Sequence, residues 1–343
     1  MNDAPPDAAD AERVLRPLYS MPRPDEVAWL VGRHYDIGEL RRCVLANRGF
    51  NDVYLLETAE DERFVLRLAN RRARELQNHE YETAFLRYLD GYGVPVAAPV
   101  AARDGRLWSS AALAEGERTA VLFRYLEGRI ARRGCKADAS AQGRVLGQIH
   151  AAGQGYTGPG SRLQLDARHL VELPLAAIRE LPAPRPEDRA FIADFADRLL
   201  EQLSSKKHDL AWGRCHGDCH GYNAHIVEAA GGSRSAFFFD FDDGGPGWLA
   251  YDLAVYLWNR ALDPDTLSQW PAFLRGYQST HPLPSADLDA TLLFVPIRHL
   301  WLLGEYASRA EEWGLDRLSS QWFARQVDFL RGWEETHLTA RLF

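Results

Sequence analysis

The stretch RCHGDCHGYNAHIVEAAGGSRSAFFFDFDDGGPGWLAYDLA, Arg214 to Ala254, carries the densest set of chemically committed side chains in the sequence. Asp218 and Asn223 stand five positions apart in a turn-rich run. Two short apolar runs follow, on either side of the polar AAGGSRSA (Ala229–Ala236), and its GGSRS core reads as a turn. The pattern predicts a hairpin between Arg214 and Asp240, with Asp240 ending the apolar strand Ala236–Phe239. Such a hairpin brings Asp240 beside Asn223. One carboxylate and one amide oxygen then suit a hard divalent cation, Mg²⁺, and Asp218 is left to accept or orient a hydroxyl proton. A base, oxygen ligands and a rigid frame are what phosphoryl transfer from a nucleoside triphosphate needs.

Upstream, segments near Leu40–Leu45, Val53–Thr58 and Phe64–Ala69 are rich in β-branched and aromatic residues. Turn signals at Asn47–Gly49 and Glu60–Glu62 separate them, and an antiparallel sheet is expected. Arg74–Leu89 has helical spacing and ends at Asp90-Gly91. Val94–Val100 contains two prolines and must be extended. Thr119–Leu126 reads as a last strand, broken by Glu127-Gly128. Downstream, helical patterns dominate: Ala137–Ala152, Pro186–Leu203, Leu249–Leu262, Thr266–Tyr277, Asp287–Ala307 and Ser319–Glu335.

At 343 residues the chain exceeds the roughly 250–300 at which single cores stop growing, so two lobes are expected. Apolar residues make up 46% and charged residues 26%, an ordinary globular balance. A net charge of −8, with no basic stretch interleaved with aromatics, disfavours nucleic acid and tolerates a cationic small molecule. No run approaches the ~20 apolar residues of a membrane span. The acidic, Pro/Ala-rich start reads as a frayed leader over residues 1–12 rather than a signal peptide. Four cysteines are too few for a disulfide framework, so a reducing cytoplasm is the expected compartment.

His216-Gly217-Asp218, four residues and Asn223 together resemble the HGDxxxxN catalytic loop of the aminoglycoside phosphotransferase and choline kinase superfamily, relatives of protein kinases. Phe239–Asp243 resembles its metal-binding segment, and Tyr251-Asp252-Leu253-Ala254 its downstream DLA helix start. The resemblance implies an α+β, bilobal, protein-kinase-like fold. Residues 1–126 would form a small nucleotide-binding lobe, an antiparallel sheet plus a helix, and 127–343 a mainly helical lobe with catalytic loop and acceptor pocket. It implies Asp218 as catalytic base, Asn223 and Asp240 as Mg²⁺ ligands, and His216 and Asp252 as supports of the loop. Within RGFNDVY (Arg48–Tyr54), Gly49 and Asn51 fall in the loop that covers the phosphates. Arg67 takes the place of the family's phosphate-touching lysine, and Glu82 that of its helix partner. Glu80 is the rival for that role, but two residues turn a helix by ~200° and point it elsewhere. In LFRYLEG (Leu122–Gly128), Phe123 would back the base, with backbone groups near Arg124 and Leu126 holding it. ATP or GTP would be the donor.

The acceptor is the open question. A small amino alcohol, amino sugar or homoserine-like compound leads. A protein Ser/Thr kinase of the bacterial stress-response type is second, and a nucleotide-binding pseudokinase third. Asp242, Asp243, Arg298, Trp301 and Glu305 are the candidate acceptor-pocket residues. The plainer readings make Asp242 and Asp243 caps of the Gly-Gly turn, Arg298, His299 and Trp301 a satisfied helix face, and Glu305, Glu311 and Glu312 solvated. Cys215, His216, Cys219, His220 and His225 are also possible zinc ligands, but their interleaving in a single loop disfavours structural zinc. The oligomeric state is left open.

Overall fold

The computed structural model describes residues 15, 17–70, 75–161 and 163–338; the leader at 1–12 and Arg74 lie outside them. A first helix, α1 (Pro24–His34), was not foreseen. Its signals are short and local: proline at its start, Asp25 and Glu26 in the first turn, Arg33 and His34 in the last. β1 (Leu40–Arg48), β2 (Asp52–Thr58) and β3 (Arg63–Leu68) follow, then α2 (Leu76–Gly91), β4 (Ser109–Leu113) and β5 (Gly116–Arg124). They form one antiparallel sheet in the order β1-β2-β3-β5-β4. β2 alternates buried and half-buried residues along its length, as a strand with one face on a core must. Val27, Tyr54, Leu66 and Leu122 belong to a small core between α1 and this sheet. The inner side chains of α2, among them Phe85 and Leu89, join a second and larger core instead.

The larger core belongs to the helical part. β6 (Arg129–Ile130) leads to α3 (Lys136–Gly153), α4 (Leu173–Glu180), α5 (Pro186–Lys206) and β7 (Trp212–Cys215). β8 (Ala224–Glu228), β9 (Arg234–Phe238) and β10 (Gly245–Trp248) complete the strands. The remaining helices are α6 (Leu249–Ala261), α7 (Trp270–Gln278), α8 (Ser285–Ser308), α9 (Ala310–Trp313) and α10 (Ser320–Trp333). The expected hairpin is in fact two nested antiparallel pairs. β8 and β9 form the inner pair, with β6 added at its edge. β7 and β10 form an outer pair around it. Both functional loops, His216–Asn223 and Phe239–Gly244, therefore leave the ends of paired strands, which fixes them to each other.

α8 contains Pro296. A proline removes its own N–H and orphans the carbonyl four residues before it, here Leu292. The indole of Trp333, on α10, donates to that carbonyl at 2.9 Å. Gly304 lets α8 touch α4: a Cβ there would lie 2.3 Å from the Cα of Pro174. Both contacts fix where the inner face of α8 points. No helix among the described residues is long and apolar enough to cross a membrane.

Candidate active site

Asp252, one turn into α6 and fully buried, organises the His216–Asn223 loop. Its Oδ2 accepts from the His216 N–H at 2.7 Å and its Oδ1 from the Gly217 N–H at 2.8 Å. His150 of α3 donates to the same carboxylate at 2.9 Å. Burial opposes the charge of Asp252, but the hydrogen bond and charge of His150 outweigh it and hold its pKa below the usual range. His216 lies beneath the loop: Nδ1 accepts from the Asp218 N–H at 3.2 Å, and Nε2 donates to Phe239 O at 3.1 Å. Burial lowers its pKa and keeps the ring neutral. Gly217 has φ +84°, and a Cβ there would sit 2.0 Å from the carbonyl oxygen of Asp243. No other residue fits where the two functional loops meet.

These restraints leave Asp218 facing a cleft of about 710 Å³ between the sheet and the helical part. Its carboxylate is held at both oxygens. Asn223 Nδ2 donates to Oδ2 at 3.0 Å, and His220 Nε2 lies 3.4 Å from the same atom. Arg298 of α8 donates to Oδ1. Burial opposes ionisation, yet His220 and then Arg298 reverse it, so the pKa lies well below the ordinary carboxylate range. His220 was not foreseen as part of the site, and Arg298 was expected at the acceptor pocket but not as the ion-pair partner of Asp218. The first had been weighed only as a metal ligand. The ion pair joins residues eighty positions apart, beyond the reach of any spacing rule.

Ala224 pairs with Phe238, and the Phe239 N–H donates to Asn223 O at 3.1 Å, so Asn223 and Asp240 are neighbours at the open end of the β8–β9 hairpin. With its amide nitrogen on Asp218, the amide oxygen is the group Asn223 has left for a cation, and the residue lines the cleft. Asp240 has φ +66°, left-handed backbone that aspartate enters more readily than most residues. Burial, followed by the charge of Asp242, raises its pKa well above the ordinary value. Crowded acids with oxygen-only donors are a set that a hard divalent cation relieves and a soft metal does not. Asn51 joins the β1–β2 turn to this group by donating to Asp242 Oδ2 at 2.7 Å. Asp242 and Asp243 both line the cleft.

Arg67 bridges the two parts of the molecule. Nη1 donates to Glu82 Oε1 at 2.8 Å and to Asp240 Oδ1 at 3.3 Å, and Nη2 donates to Glu82 Oε2. Burial of Glu82 is outweighed by Arg67, which holds its pKa low. Glu80 is half-buried on another side of α2. Phe123 backs the cleft with its ring 5.4 Å from the Arg67 guanidinium. Arg124 sends its N–H to Ala98 O at 3.3 Å, and the Leu126 carbonyl accepts from His225 at 3.0 Å. The Leu126 carbonyl keeps a second lone pair beside that bond, and both residues line the cleft. Gly49 lines the cleft with ordinary backbone angles, and a Cβ there would meet nothing nearer than Asn47 Nδ2 at 3.7 Å.

The far end of the cleft is walled by one face of α8: Arg298, Trp301, Leu302 and Glu305, at helical spacing. Glu305 takes an ion pair from Arg309 at 2.8 Å and is only partly exposed, and Glu312 accepts from Asn70 at 2.9 Å. Solvated roles for these two are thereby corrected; Glu311 is exposed. His299 faces inward, where it accepts from Trp258 Nε1 at 3.1 Å. Cys215 lies in a buried cluster with His150 and Asp252, their ligand atoms all within 4.8 Å of one another, a grouping that spacing within the loop did not show. Cys215 and Cys219 are buried against the backbone carbonyls of Trp248 and Asp252, at 3.4 and 2.9 Å.

Residues 44–289 match the family model described as "Phosphotransferase enzyme family". An uncharacterized protein of Deinococcus radiodurans is 37% identical over 324 residues, 93% of this chain and 92% of that one. A homoserine kinase of Brucella abortus is 30% identical over 269 residues, covering 76% and 77%. Among solved structures, a microcompartment-associated aminopropanol kinase superposes with a TM-score of 0.73 at 25% identity, covering 90% of this chain and 95% of that one. With the kinase-like α+β fold in place around Asp218, the chain belongs to the phosphotransferase enzyme family and is a kinase with an alcohol group as acceptor.

Proposed function

We propose that this protein transfers the γ-phosphoryl group of Mg-bound ATP or GTP to the hydroxyl of a compact small molecule: an amino alcohol, amino sugar or homoserine-like compound. The observation that carries the reading is the closed form of the acceptor end. Phe50, at the tip of the β1–β2 turn, packs against Tyr306 (5.7 Å) and Trp313 (5.6 Å), with the Arg309 guanidinium 4.2 Å from its ring. A roof of this kind suits a small guest, whereas an extended peptide needs an open groove. The homoserine and aminopropanol kinases among the relatives support the same acceptor class.

Asp218 accepts a hydrogen bond from the acceptor hydroxyl and aims its oxygen along the transfer axis. With so low a pKa it orients the nucleophile and takes the proton late, as bond formation acidifies it. Asn223 and Asp240 hold the cation, which supplies charge neutralisation at the phosphates when bound. Arg67, steadied by Glu82, binds the phosphates; Gly49 and Asn51 cover them; and Phe123, Arg124 and Leu126 flank the base. Asp242, Asp243 and Glu305 set an acidic environment for an ammonium group, and Trp301 offers a ring face for its carbon skeleton. Residues 1–126 and 127–343 act as the two lobes around this cleft.

A screen of ATP consumption over amino alcohols, aminoglycosides, homoserine and generic protein acceptors tests the reading. A small alcohol is expected to be turned over, and Asp218→Ala to lose about 10²–10⁴-fold in kcat with nucleotide affinity nearly unchanged. Phosphorylation of protein alone would transfer the assignment to a protein kinase. Tight nucleotide binding with no turnover would make it a pseudokinase.

A further inference from the structure

Arg298 is 2% exposed, yet it is not a spectator of the core. Its guanidinium lies against two indole rings, 5.2 Å from the centroid of Trp258 and 4.4 Å from that of Trp301. Nη2 donates to Asp218 Oδ1, while Nη1 lies 3.4 Å from the Gly217 carbonyl and 3.5 Å from the Tyr251 hydroxyl. One rigid fork thus touches the carboxylate and the backbone one residue before it. Lysine, a point charge on a flexible stem, has no equivalent geometry.

The surroundings give this contact its purpose. Asp240, Asp242 and Asp243 share the cleft with Asp218, and like charges drive a carboxylate out of position when nothing holds it. Asn223 and His220 reach only Oδ2. Among the described residues Arg298 is the side chain donating to Oδ1. It comes from α8, an element outside the His216–Asn223 loop, whose direction is set by the Trp333–Leu292 hydrogen bond and the Gly304–Pro174 contact.

We propose that Arg298 is a positioning residue for the phosphoryl-transfer reaction: it holds the Asp218 carboxylate in the one orientation that presents an oxygen to the acceptor hydroxyl. The proposal rests on the reading of Asp218 given above. Arg298 acts through Asp218 and need not touch the acceptor. Its value lies in orientation, which a misplacement of about 1 Å is enough to lose, at a cost near 10²-fold.

The test is a double-mutant cycle read as ADP release from Mg·ATP, with the alcohol the screen selects as acceptor, or with water where none is selected. Arg298→Ala is expected to lower kcat on the order of 10²-fold with the KM for Mg·ATP nearly unchanged. In an Asp218→Ala background the same change should cost almost nothing more, because two residues acting as a unit are not additive. Millimolar guanidinium should restore turnover to Arg298→Ala and not to Asp218→Ala, while urea, its neutral counterpart, restores neither. Arg298→Lys guards against a folding failure: it should keep a near-wild-type melting temperature and still lose kcat. Additive losses, wild-type kcat in Arg298→Ala or Arg298→Lys, or equal rescue by urea would each overturn the proposal. A wild-type protein that consumes no ATP with any alcohol or with water would instead overturn the phosphotransfer reading itself.

Discussion

Asp240 combines a left-handed backbone with a crowded carboxylate, and both features bear on which acid meets the cation. Asp240→Asn keeps the shape and the tolerance for that backbone but removes a charge. Metal-dependent nucleotide binding, measured by titration with and without Mg²⁺, should weaken by about tenfold or more, about 1.4 kcal/mol. Asp242→Asn should cost less, since Asp242 already accepts from Asn51. The opposite order of severity would show that Asp242 is the principal ligand. At this scale the sequence was legible where residues lie close together in it. Asp218, Asn223 and Asp240 are separated by a short loop and one hairpin, so spacing and turn chemistry bring them together. Arg298 was legible as a candidate for the acceptor pocket, but not as the partner of Asp218. Its partner across the fold depends on the direction of α8, which no local pattern encodes.

Among the elements, the long helices and the sheet strands could be read from periodicity, whereas α1, β4 and α4 could not. α1 is held by few residues, with Val27 and Val31 its buried side chains. β4 is an edge strand of five residues beside β5, too short for a clear alternation. The outer β7–β10 pair was missed because WGRC and GPGW carry little strand propensity; their pairing is imposed by the loops they bracket. α8 supplies a prediction of its own. Trp333→Phe should strand the Leu292 carbonyl and cost about 1–3 kcal/mol, seen as a lower midpoint in urea. In a Pro296→Ala background the cost should shrink, because the restored N–H can reach Leu292 within the helix. An undiminished cost would assign the effect to indole packing alone.

Over the whole molecule, buried histidines tie stability to pH. His299 is fully enclosed beside Trp258 and Phe329, and burial pushes its pKa down to about 3; burial lowers that of His216 as well. Between pH 3 and about 6.5 the unfolded chain therefore binds a proton that the folded chain refuses. Each such group raises stability with pH across that window, by about 1.4 kcal/mol per pH unit where the unfolded imidazole is charged, whereas Asp240, whose folded pKa is raised, contributes with the opposite sign. Urea unfolding from pH 4.5 to 6 reads the net slope. His299→Gln should lower it by about one group's worth, and an unchanged slope would mean that His299 is not kept neutral by the fold. The contact between Trp333 and Leu292 also carries a consequence for the time at which the protein becomes competent. A ribosome emits every side chain assigned here to chemistry, from Gly49 to Glu305, before it emits Trp333. A chain halted shortly before that tryptophan holds all of its reacting groups and lacks the hold that aims the helix bearing Arg298. Competence thus comes late in synthesis, and a message truncated near its end should yield a protein complete in its chemistry and poor in its turnover.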